Sequence, residues 1–326
     1  MPAYKAGFLR EALRSLARQT DQRFQLYIGD DASPEPVAEI AREFQGSLRA
    51  QYRRFDQNLG GTSLVQHWER CLRLGAEPWV WLFSDDDLLD PGCVAAFYAE
   101  LERSGGRHDL YRFNTIWLND ARQERDESAP HPAEESGADF LAARLRGGRR
   151  STFQELVFSR AAWQAAGGIP DFPLAWASDD AFIATLGARC PIKCISGPRV
   201  TWRWGEASIS GSSSAATFRT KLRASEEFIR WAMAFLEQHP PSSGCRSPLE
   251  RRRLTEHWFF DCFVYHAWRF LDWDNCREIE RFARHVWGRP PGAGWLRALR
   301  ANAFHFQRKC ADKLQRWQQP RQKSSV

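Results

Sequence analysis

The chain has 326 residues, of which 43% are hydrophobic and 26% charged, so it is long enough for one large globular domain or two ordinary ones. Its formal net charge of +6 allows anionic partners such as nucleotide sugars, anionic lipid head groups or nucleic acid. The sequence has no signal peptide, no apolar run of about 18 residues and no CxxC pair among its eight cysteines, which argues against a membrane-spanning helix, a zinc site and a disulfide framework and predicts a cytoplasmic protein.

The first part of the chain alternates between helical and strand patterns. Leu9, Leu13 and Leu16 recur on one face of a predicted helix, and alternating apolar residues predict a strand over 24–29. Alternation of strands and helices at this spacing is typical of βαβ units and predicts a parallel sheet. The elements predicted next are helix 35–44, strand 51–55, helix 62–74, strand 79–83, helix 91–102 and strand 110–118.

Acidic residues directly follow two of these strands. Residues 79–83 are continuously apolar, as in a parallel strand buried on both faces, and Asp85-Asp86-Asp87 comes after them. Asp30-Asp31 follows the first predicted strand in the same way. The carboxyl ends of strands are where open α/β sheets bind ligands, and Mg²⁺ or Mn²⁺ prefers such oxygen ligands, usually with substrate phosphates. The pattern therefore favours a metal-diphosphate site, and the alternative is a solvated acidic turn before the helix near Pro91.

The middle of the chain contains a polar stretch and then regains strand and helix patterns. Residues 119–136 are charged and contain two prolines, so we expect a mobile surface loop there. Order is predicted to resume at 153–158, followed by an apolar helix through Phe182 and Leu186 and a strand over 200–204.

From about residue 211 onward, helical spacing dominates, with Pro/Gly breaks near 239–248 and 288–294. We therefore predict a sheet domain over 1–210 and a helical region over 211–326. Seven tryptophans of this region are interleaved with arginines, a composition that suits sugar stacking, a membrane interface or nucleic-acid binding, and equally a helical core with basic neighbours.

Seven short motifs occur in an order that resembles inverting family 2 glycosyltransferases of the bacterial surface-polysaccharide type. The resemblance implies an α/β fold of the GT-A type, with a mostly parallel sheet covered by helices on both faces and an α-helical C-terminal region. The motifs cover about the first 210 residues and comprise Met1-Pro2-Ala3-Tyr4, Ser15-Leu16 to Gln19-Thr20, Gly29-Asp30-Asp31-Ala32-Ser33, Asn58-Leu59-Gly60, Ser84-Asp85-Asp86-Asp87, the stretch from Phe158-Ser159-Arg160 to Gly167-Gly168, and Ser178-Asp179-Asp180.

The resemblance also implies a donor site for a nucleoside-diphosphate sugar, with a uridine or thymidine donor favoured. Pro2, Ala3 and Tyr4 would line the nucleobase pocket, and Asp31, with Asp30 beside it, would accept a hydrogen bond from the base. The alternatives are N-terminal packing for the first three residues and a helix cap or solvated turn for the two acids.

The same resemblance implies a divalent cation, Mn²⁺ or Mg²⁺, that stabilises the diphosphate leaving group. Asp85 would contact the ribose or a metal-bound water, and Asp87, with Asp85 or Asp86, would hold the cation.

In this family the catalytic base is an acid that precedes a helix in the second half of the domain. Asp179 and Asp180 occupy that place, and Asp180 is preferred because Ala-Phe follows it; helix capping by one of the two is compatible with catalysis by the other. Gly167, Gly168 and Trp176 are assigned to an acceptor loop, with an ordinary helix C-cap as the alternative for the glycines.

Two features depart from the family pattern. The family has a buried strand directly before the Pro-x-Tyr motif, so we expect the sheet to lack its first strand. Relatives often carry an Arg-Asn pair where this chain has Gln66-His67, and His67 is more simply a structural residue. Arg203 is expected to meet either a phosphate or a surface carboxylate.

The predicted partners are a nucleotide-sugar donor and a glycan or lipid-linked acceptor, with peripheral contact at the inner membrane as a further hypothesis and no nucleic acid. A nucleotidyltransferase is a weaker alternative because no Gly-rich phosphate loop follows the first strand. A basic, Trp-rich protein that binds nucleic acid or membranes and carries an inactive sheet domain is the alternative from another class.

Overall fold

A computed structural model describes residues 1–119, 121, 123–204, 215–264 and 273–289. Its strands are β1 Pro2–Ala3, β2 Leu26–Asp30, β3 Ala50–Arg54, β4 Trp79–Trp81, β5 Leu88–Leu89, β6 Leu110–Asn119, β7 Glu124–Glu127, β8 Glu134–Glu135, β9 Leu156–Ser159 and β10 Ile192–Arg203. Its helices are α1 Leu9–Ala17, α2 Val37–Glu43, α3 Leu64–Leu72, α4 Cys93–Arg103, α5 Gly137–Leu145, α6 Arg160–Ala165, α7 Ser178–Arg189, α8 Ala215–Gln238, α9 Pro248–Trp258 and α10 Trp273–Trp287.

The strands form two sheets. The first has the order β1-β2-β3 and is parallel throughout, with Pro2 opposite Gly29. The second has the order β4-β9-β6-β10-β5, with β7 added to β6 and β8 added to β10. In this second sheet β6 and β10 are parallel, whereas the other pairs are antiparallel. The parallel pairs bring the carboxyl ends of their strands to one edge, which is where the acidic residues lie.

Residues 79–83 form a shorter strand than predicted, and its pairing differs from the prediction. β4 pairs antiparallel with β9, through Trp79 opposite Ser159, so the expected parallel pairing was wrong for this strand. The expected burial on both faces is confirmed, because Val80 belongs to one hydrophobic cluster and Trp79 packs against the other. A continuous run of apolar residues indicates that both faces of a strand are covered, but it does not indicate whether the strand pairs parallel or antiparallel.

The polar stretch 119–136 was predicted as a mobile loop, and this prediction was wrong for its described residues. β7 pairs antiparallel with β6, and β8 pairs with β10. His131 lies between these strands and is buried, with its backbone N–H donating to Asn114 at 2.8 Å. β7 is fully polar because both of its faces are exposed, so no hydrophobic alternation marks it as a strand.

The core consists of two hydrophobic clusters, one containing residues of α1, α2 and α4 and the other containing residues of α3 and α5 to α10. The first helix packs as predicted, since Leu9, Leu13 and Leu16 are all buried. The second cluster joins Phe182 of α7 to Phe259, which follows α9. The predicted helical region therefore shares its core with the sheet in the part of the chain that the structure describes.

The predicted helices of the C-terminal region are present where the structure describes them. α9 begins with a capping box, in which the Ser247 hydroxyl accepts from the Glu250 N–H and the Glu250 carboxylate accepts from the Ser247 N–H. The predicted break over 239–248 is confirmed, and most of the break over 288–294 lies outside the described residues. Among the described residues, no helix is long and apolar enough to cross a membrane.

Candidate functional site

The acidic turn after β2 is fixed by hydrogen bonds. Asp30 is completely buried and accepts from the Ser33 N–H and from Arg54 Nη1, both at 2.8 Å, and from the Tyr52 hydroxyl. Burial, reinforced by the hydrogen bond to Asp30, raises the pKa of Tyr52 to about 12. Asp30 is therefore a structural anchor for the turn, which presents its neighbour Asp31.

Asp31 connects this turn to the Asn58-Leu59-Gly60 motif. Its carboxylate is only 2% exposed and accepts from the Leu59 and Gly60 N–H groups, each at 2.8 Å, and from Arg70 Nη2. A side chain at position 60 would meet the Asp31 carboxylate, because an added Cβ would lie 2.6 Å from Oδ2. The glycine of the motif is thus explained by close approach to Asp31, and the solvated turn suggested as an alternative is absent.

Arg70 is the positively charged residue that contacts Asp31, and the sequence analysis did not identify it. Its Nε donates to His67 Nδ1 at 3.0 Å, and its guanidinium lies 3.9 Å from the centre of the Phe55 ring. Burial lowers the pKa of His67 to about 4, so this histidine is neutral near pH 7 and accepts from Arg70. The position of Arg70 three residues after His67, on the same helix face, is the signal that could have identified it.

The N-terminal motif lies between the two acidic turns. Pro2 and Ala3 are buried in β1, whereas the Tyr4 side chain is 39% exposed. The backbone N–H groups of Tyr4 and Lys5 donate to Asp85 Oδ2 at 2.8 and 3.0 Å, and the Ser33 hydroxyl donates to the Tyr4 carbonyl. The structure thus brings the predicted nucleobase residues and the first aspartate of the triple-acid turn together.

The three aspartates 85–87 have different surroundings. Asp85 accepts the two backbone donors, while Asp87 is 1% exposed and accepts from the Arg203 N–H at 2.8 Å through Oδ1. Asp87 Oδ2 is buried and accepts no hydrogen bond from the described chain. Asp86 is partly exposed and forms no ion pair with a described residue.

The carboxylates of this turn are costly to ionise. Burial raises the pKa of all three; for Asp86 the pKa is raised to about 6, with the charge of Asp85 as the second cause. For Asp87, burial and then the charge of Asp86 raise the pKa well above its ordinary value. A cation would relieve both effects, because it would compensate the repulsion and satisfy the Asp87 oxygen.

Arg203, at the end of β10, supports the triple-acid turn from behind. Its Nη1 donates to the Asp86 carbonyl at 3.1 Å, its Nη2 pairs with Glu11 of α1, and its guanidinium lies 4.2 Å from the centre of the Phe8 ring. Arg203 is itself buried, but Glu11 is about half exposed, so of the two expectations the ion pair with a surface carboxylate describes this contact. Glu11, which the sequence analysis did not single out, is its counter-charge.

Asp179 and Asp180, at the start of α7, differ sharply. Asp180 is 1% exposed and accepts from Arg144 Nε and Nη2 at 2.7 and 2.8 Å. Asp179 is partly exposed and accepts from the Asp180 N–H at 2.9 Å. Burial, followed by the charge of Asp180, raises the pKa of Asp179 to about 7.

A segment that the sequence analysis left unassigned joins the two acidic regions. The Gln154 side chain donates to the Ser84 hydroxyl, next to the triple-acid turn, and the Gln154 carbonyl accepts from Trp81 Nε1 at 2.7 Å. The adjacent Glu155 is completely buried, is paired with Arg112, and contributes to the raised pKa of Asp179. Asp179 is therefore linked through this segment to the strand that carries the three aspartates.

The residues assigned to an acceptor loop occupy two places. Gly167 and Gly168, with φ of +78° and +98°, follow α6 and lie near Glu69 of α3. Trp176 belongs to the segment just before α7, where Leu174, Ala175 and Ala177 all have positive φ. Such backbone conformations are strained in residues other than glycine and cluster at functional sites. Trp176 therefore lies in a strained segment beside Asp179, and the glycines lie apart from it.

Within the described residues, no group of three His, Cys, Asp or Glu side chains converges on one metal position. The set still fits a cation that is held by one or two carboxylates together with a diphosphate, the usual arrangement for Mg²⁺. Asp86 has no ion-pair partner in the described chain, and Asp87 carries the unsatisfied buried oxygen, whereas Asp85 accepts from two backbone donors.

Comparison with known proteins identifies the kind of fold and gives a family match to the first part of the chain. Residues 1–155 match the family described as glycosyl transferase family 2. The structure is similar to S. aureus TarS 1-349 in complex with UDP-GlcNAc, with a TM-score of 0.63 and 16% identity over 87% of this chain and 80% of that one. It is also similar to S. aureus TarS 1-349 in complex with UDP, with a TM-score of 0.60 and 15% identity over 87% and 79%. No curated protein sequence matches the chain.

These matches confirm the resemblance to family 2 and the predicted GT-A type of α/β fold with a C-terminal helical region. The family match includes both acidic turns at the ends of β2 and β4 and ends before Asp179. The likeness to TarS extends over most of this chain at low identity, so beyond residue 155 it reports on the fold alone.

Proposed function

From the family 2 match over residues 1–155, which identifies the chain as a glycosyltransferase, we infer that it moves a sugar from a nucleoside-diphosphate donor to a hydroxyl group of a glycan or lipid-linked acceptor. The observation that carries the proposal is the convergence of three motifs at the carboxyl ends of β1 and β2 in one sheet and of β4 in the other. Tyr4, the turn containing Asp31 and the turn containing Asp85 are joined there by direct hydrogen bonds. Open α/β sheets bind nucleotides at such strand ends.

The proposed donor is a UDP-sugar. The two TarS structures to which this fold is similar contain UDP-GlcNAc and UDP. The exposed Tyr4 ring offers a stacking surface for a base. Asp31 is as closed to solvent as Asp180, so we assign it a positioning role in place of the sequence-based hydrogen bond to the base. Its carboxylate accepts from the Leu59 and Gly60 N–H groups and holds the Asn58-Leu59-Gly60 motif against the turn after β2.

We assign the divalent cation, Mn²⁺ or Mg²⁺, to Asp86 and to the unsatisfied Oδ2 of Asp87, in place of the sequence-based pair Asp85 and Asp87. Asp85 is better explained as the acceptor that holds the N-terminal motif at the site. When bound, the cation stabilises the negative charge that develops on the diphosphate leaving group.

We propose Asp179 as the catalytic base, instead of the initially preferred Asp180. Asp180 is held by Arg144 through two hydrogen bonds and is closed to solvent, so an acceptor hydroxyl has no access to it. Asp179 is partly exposed and its pKa of about 7 suits a base that accepts a proton near neutral pH. Asp180 and Arg144 then position the start of α7.

The reaction follows as a single displacement with inversion. The acceptor hydroxyl loses its proton to the Asp179 carboxylate while its oxygen forms a bond to the anomeric carbon of the donor sugar. The bond between that carbon and the diphosphate oxygen breaks, and its electron pair leaves with the nucleoside diphosphate. Trp176, in the strained segment beside Asp179, is the proposed contact for the acceptor sugar.

The donor site can be tested by calorimetric titration of UDP with and without Mn²⁺. We expect Mn²⁺-dependent binding to the wild-type protein, loss of that dependence in Asp86→Ala, and no change in Asp126→Ala, which removes an exposed carboxylate from β7. Absence of UDP binding to folded wild-type protein would contradict the proposed donor. Unchanged Mn²⁺ dependence in Asp86→Ala would contradict the metal assignment alone.

The base can be tested separately from the donor site. We expect Asp179→Asn to bind UDP normally and to release UDP from UDP-GlcNAc, with water as the acceptor, at least about 100-fold more slowly than the wild type. A rate within about twofold of the wild type would refute the assignment.

The division into a sheet domain over 1–210 and a helical region over 211–326 stays a proposal, as do the cytoplasmic location and contact with the inner membrane.

A further inference from the structure

A second cavity lies at the end of β4 opposite to the triple-acid turn. Its volume is about 600 Å³, which is within the usual range for small-molecule sites. Gly75 and Ala76, which precede β4, form one wall. Arg73, directly after α3, and Arg160 and Trp163 of α6 form the others. None of the residues assigned to the donor site or to the base lines it.

The charged groups of this cavity favour an anion. Glu69 is buried, and its carboxylate already accepts from Trp163 Nε1 at 2.9 Å, from the Ile169 N–H at 2.8 Å and from Arg73 Nη2 at 2.9 Å. Three hydrogen-bond donors therefore compensate the negative charge of the Glu69 carboxylate. Among the lining residues, two guanidinium groups, on Arg73 and Arg160, stand against this single compensated carboxylate. The Glu77 carboxylate lies just outside the lining, where it accepts from the Ala76 N–H at 3.1 Å and from the Tyr27 hydroxyl at 2.8 Å.

Arg73 and Arg160 both have N–H donors that form no hydrogen bond with a described residue. Arg160 uses Nε and Nη1 on the carbonyls of Glu77 and Leu72, each at 2.8 Å, which fixes the guanidinium in place. Its Nη2 donates to no group that the structure describes. Arg73 uses only Nη2, on Glu69, and its side chain is 64% exposed. A fixed guanidinium and a mobile one beside it suit an oxyanion, because planar guanidinium groups bind phosphates and carboxylates through paired hydrogen bonds.

The glycines assigned to an acceptor loop form part of this cavity. Gly167 has φ of +78°, and an added Cβ would meet no atom within 4 Å, so the backbone here is open to the cavity. Gly168 has φ of +98°, and an added Cβ would lie 2.9 Å from the Glu69 carboxylate. Gln164 adds an exposed amide at the same wall. The cavity therefore combines two cations with neutral hydrogen-bonding groups of the kind that bind sugar hydroxyls.

We propose that this cavity binds a sugar unit of the acceptor glycan that carries a phosphate or carboxylate group. The assignment of the ligand to the acceptor rests on the proposed glycosyltransferase function. The cavity is at the end of β4 opposite to the aspartates, so the bound unit is remote from the reacting hydroxyl. The site thus selects an anionic acceptor several sugars long.

The test uses the Trp163 indole N–H as a reporter, because it donates to Glu69 inside the cavity. Its ¹H-¹⁵N signal, identified by its loss in Trp163→Phe, is followed in metal-free buffer during separate titrations with glucose 6-phosphate, glucose and inorganic phosphate. We expect glucose 6-phosphate to shift the signal in a saturable way, more tightly than inorganic phosphate, and glucose to have little effect. Arg73→Glu should weaken glucose 6-phosphate at least tenfold.

The matched control is Arg42→Glu, which reverses the charge of an exposed arginine on α2 and should leave the titration unchanged. No shift with glucose 6-phosphate, or equal affinity in Arg73→Glu and the wild type, would overturn the site. Equal affinity for inorganic phosphate and glucose 6-phosphate would overturn the saccharide part, leaving a simple anion site. Titration of UDP with Mn²⁺ reports the donor site independently, so failure of the proposed function and failure of this cavity give different results.

Discussion

Asp179 and Asp180 are neighbours, yet the same substitution should change the stability of the protein in opposite directions. Asp180 is buried and paired with Arg144 through two hydrogen bonds. Asp180→Asn removes the charge of the buried carboxylate from this pair, which costs about 3 kcal/mol, the lower end of the range for broken buried pairs, because the Arg144 side chain is partly exposed.

Asp179 behaves differently because its pKa is raised from an ordinary value of 3.8 to about 7. The native state therefore keeps the proton up to about pH 7, whereas the unfolded chain releases it near pH 4, so the free energy of unfolding falls as the pH rises between these values. At about 1.4 kcal/mol per pKa unit, the loss reaches a ceiling of about 4 kcal/mol above pH 7 and is less than half of that at pH 5. Asp179→Asn removes this loss.

The measurement is urea denaturation of both variants and the wild type at pH 5 and pH 8, followed by tryptophan fluorescence. We expect Asp179→Asn to raise the free energy of unfolding at pH 8 by between about 1 kcal/mol and the ceiling of about 4 kcal/mol, and by clearly less at pH 5. Asp180→Asn should lower the free energy of unfolding at pH 8. Destabilisation of similar size by both variants at pH 8, or a gain for Asp179→Asn that does not depend on pH, would refute the distinction between a base and a positioning residue.

Four further substitutions test other parts of the fold by the same denaturation measurement. Gly167→Ala should lower the free energy of unfolding by about 1 kcal/mol because of its positive φ alone. Gly168→Ala should lower it further, because only this substitution also brings a Cβ against Glu69. Equal losses would contradict the close contact. Ser247→Ala removes the capping box of α9 and should cost about 1 kcal/mol, and no loss would show that the cap is dispensable. Arg112→Met should cost about 3–5 kcal/mol because it leaves the buried Glu155 carboxylate without its arginine partner, whereas Glu135 keeps Arg149; a neutral result would mean that Glu155 is compensated otherwise.

Much of the fold could be predicted because the relevant signals are local. Leu9, Leu13 and Leu16 mark α1 by their spacing, and this face is buried as expected. The polar hairpin over 119–136 could not be predicted, because β7 has no buried face and its pairing with β6 depends on residues distant in sequence. The antiparallel pairing of β4 with β9 was missed for the same reason, since direction is set by topology and not by composition.

The candidate site shows the same division. The structure brings Tyr4, the turn containing Asp31 and Asp85 close together at strand ends, which is where the sequence motifs place ligand binding; their role in the donor site stays a prediction. Which carboxylate is paired could not be predicted. Asp179 and Asp180 are adjacent residues of the same type, so the sequence does not distinguish them. Arg144 of α5, which is distant in sequence but in contact with Asp180 in the fold, makes Asp180 part of a buried ion pair and leaves Asp179 as the available base.

The segment around Gln154 lies between the proposed donor site and the proposed catalytic base. The donor motifs all lie within residues 1–155, whereas the proposed base Asp179 lies beyond them. Gln154 contacts Ser84 beside the donor aspartates, and Glu155, the next residue, contributes to the raised pKa of Asp179. Because Glu155 is buried and paired with Arg112 of β6, the segment is tied to the sheet itself. Phe153, at the start of this segment, packs against Phe182 of α7 with 5.6 Å between the ring centres, so the helix that carries Asp179 packs on the same segment that contacts Ser84.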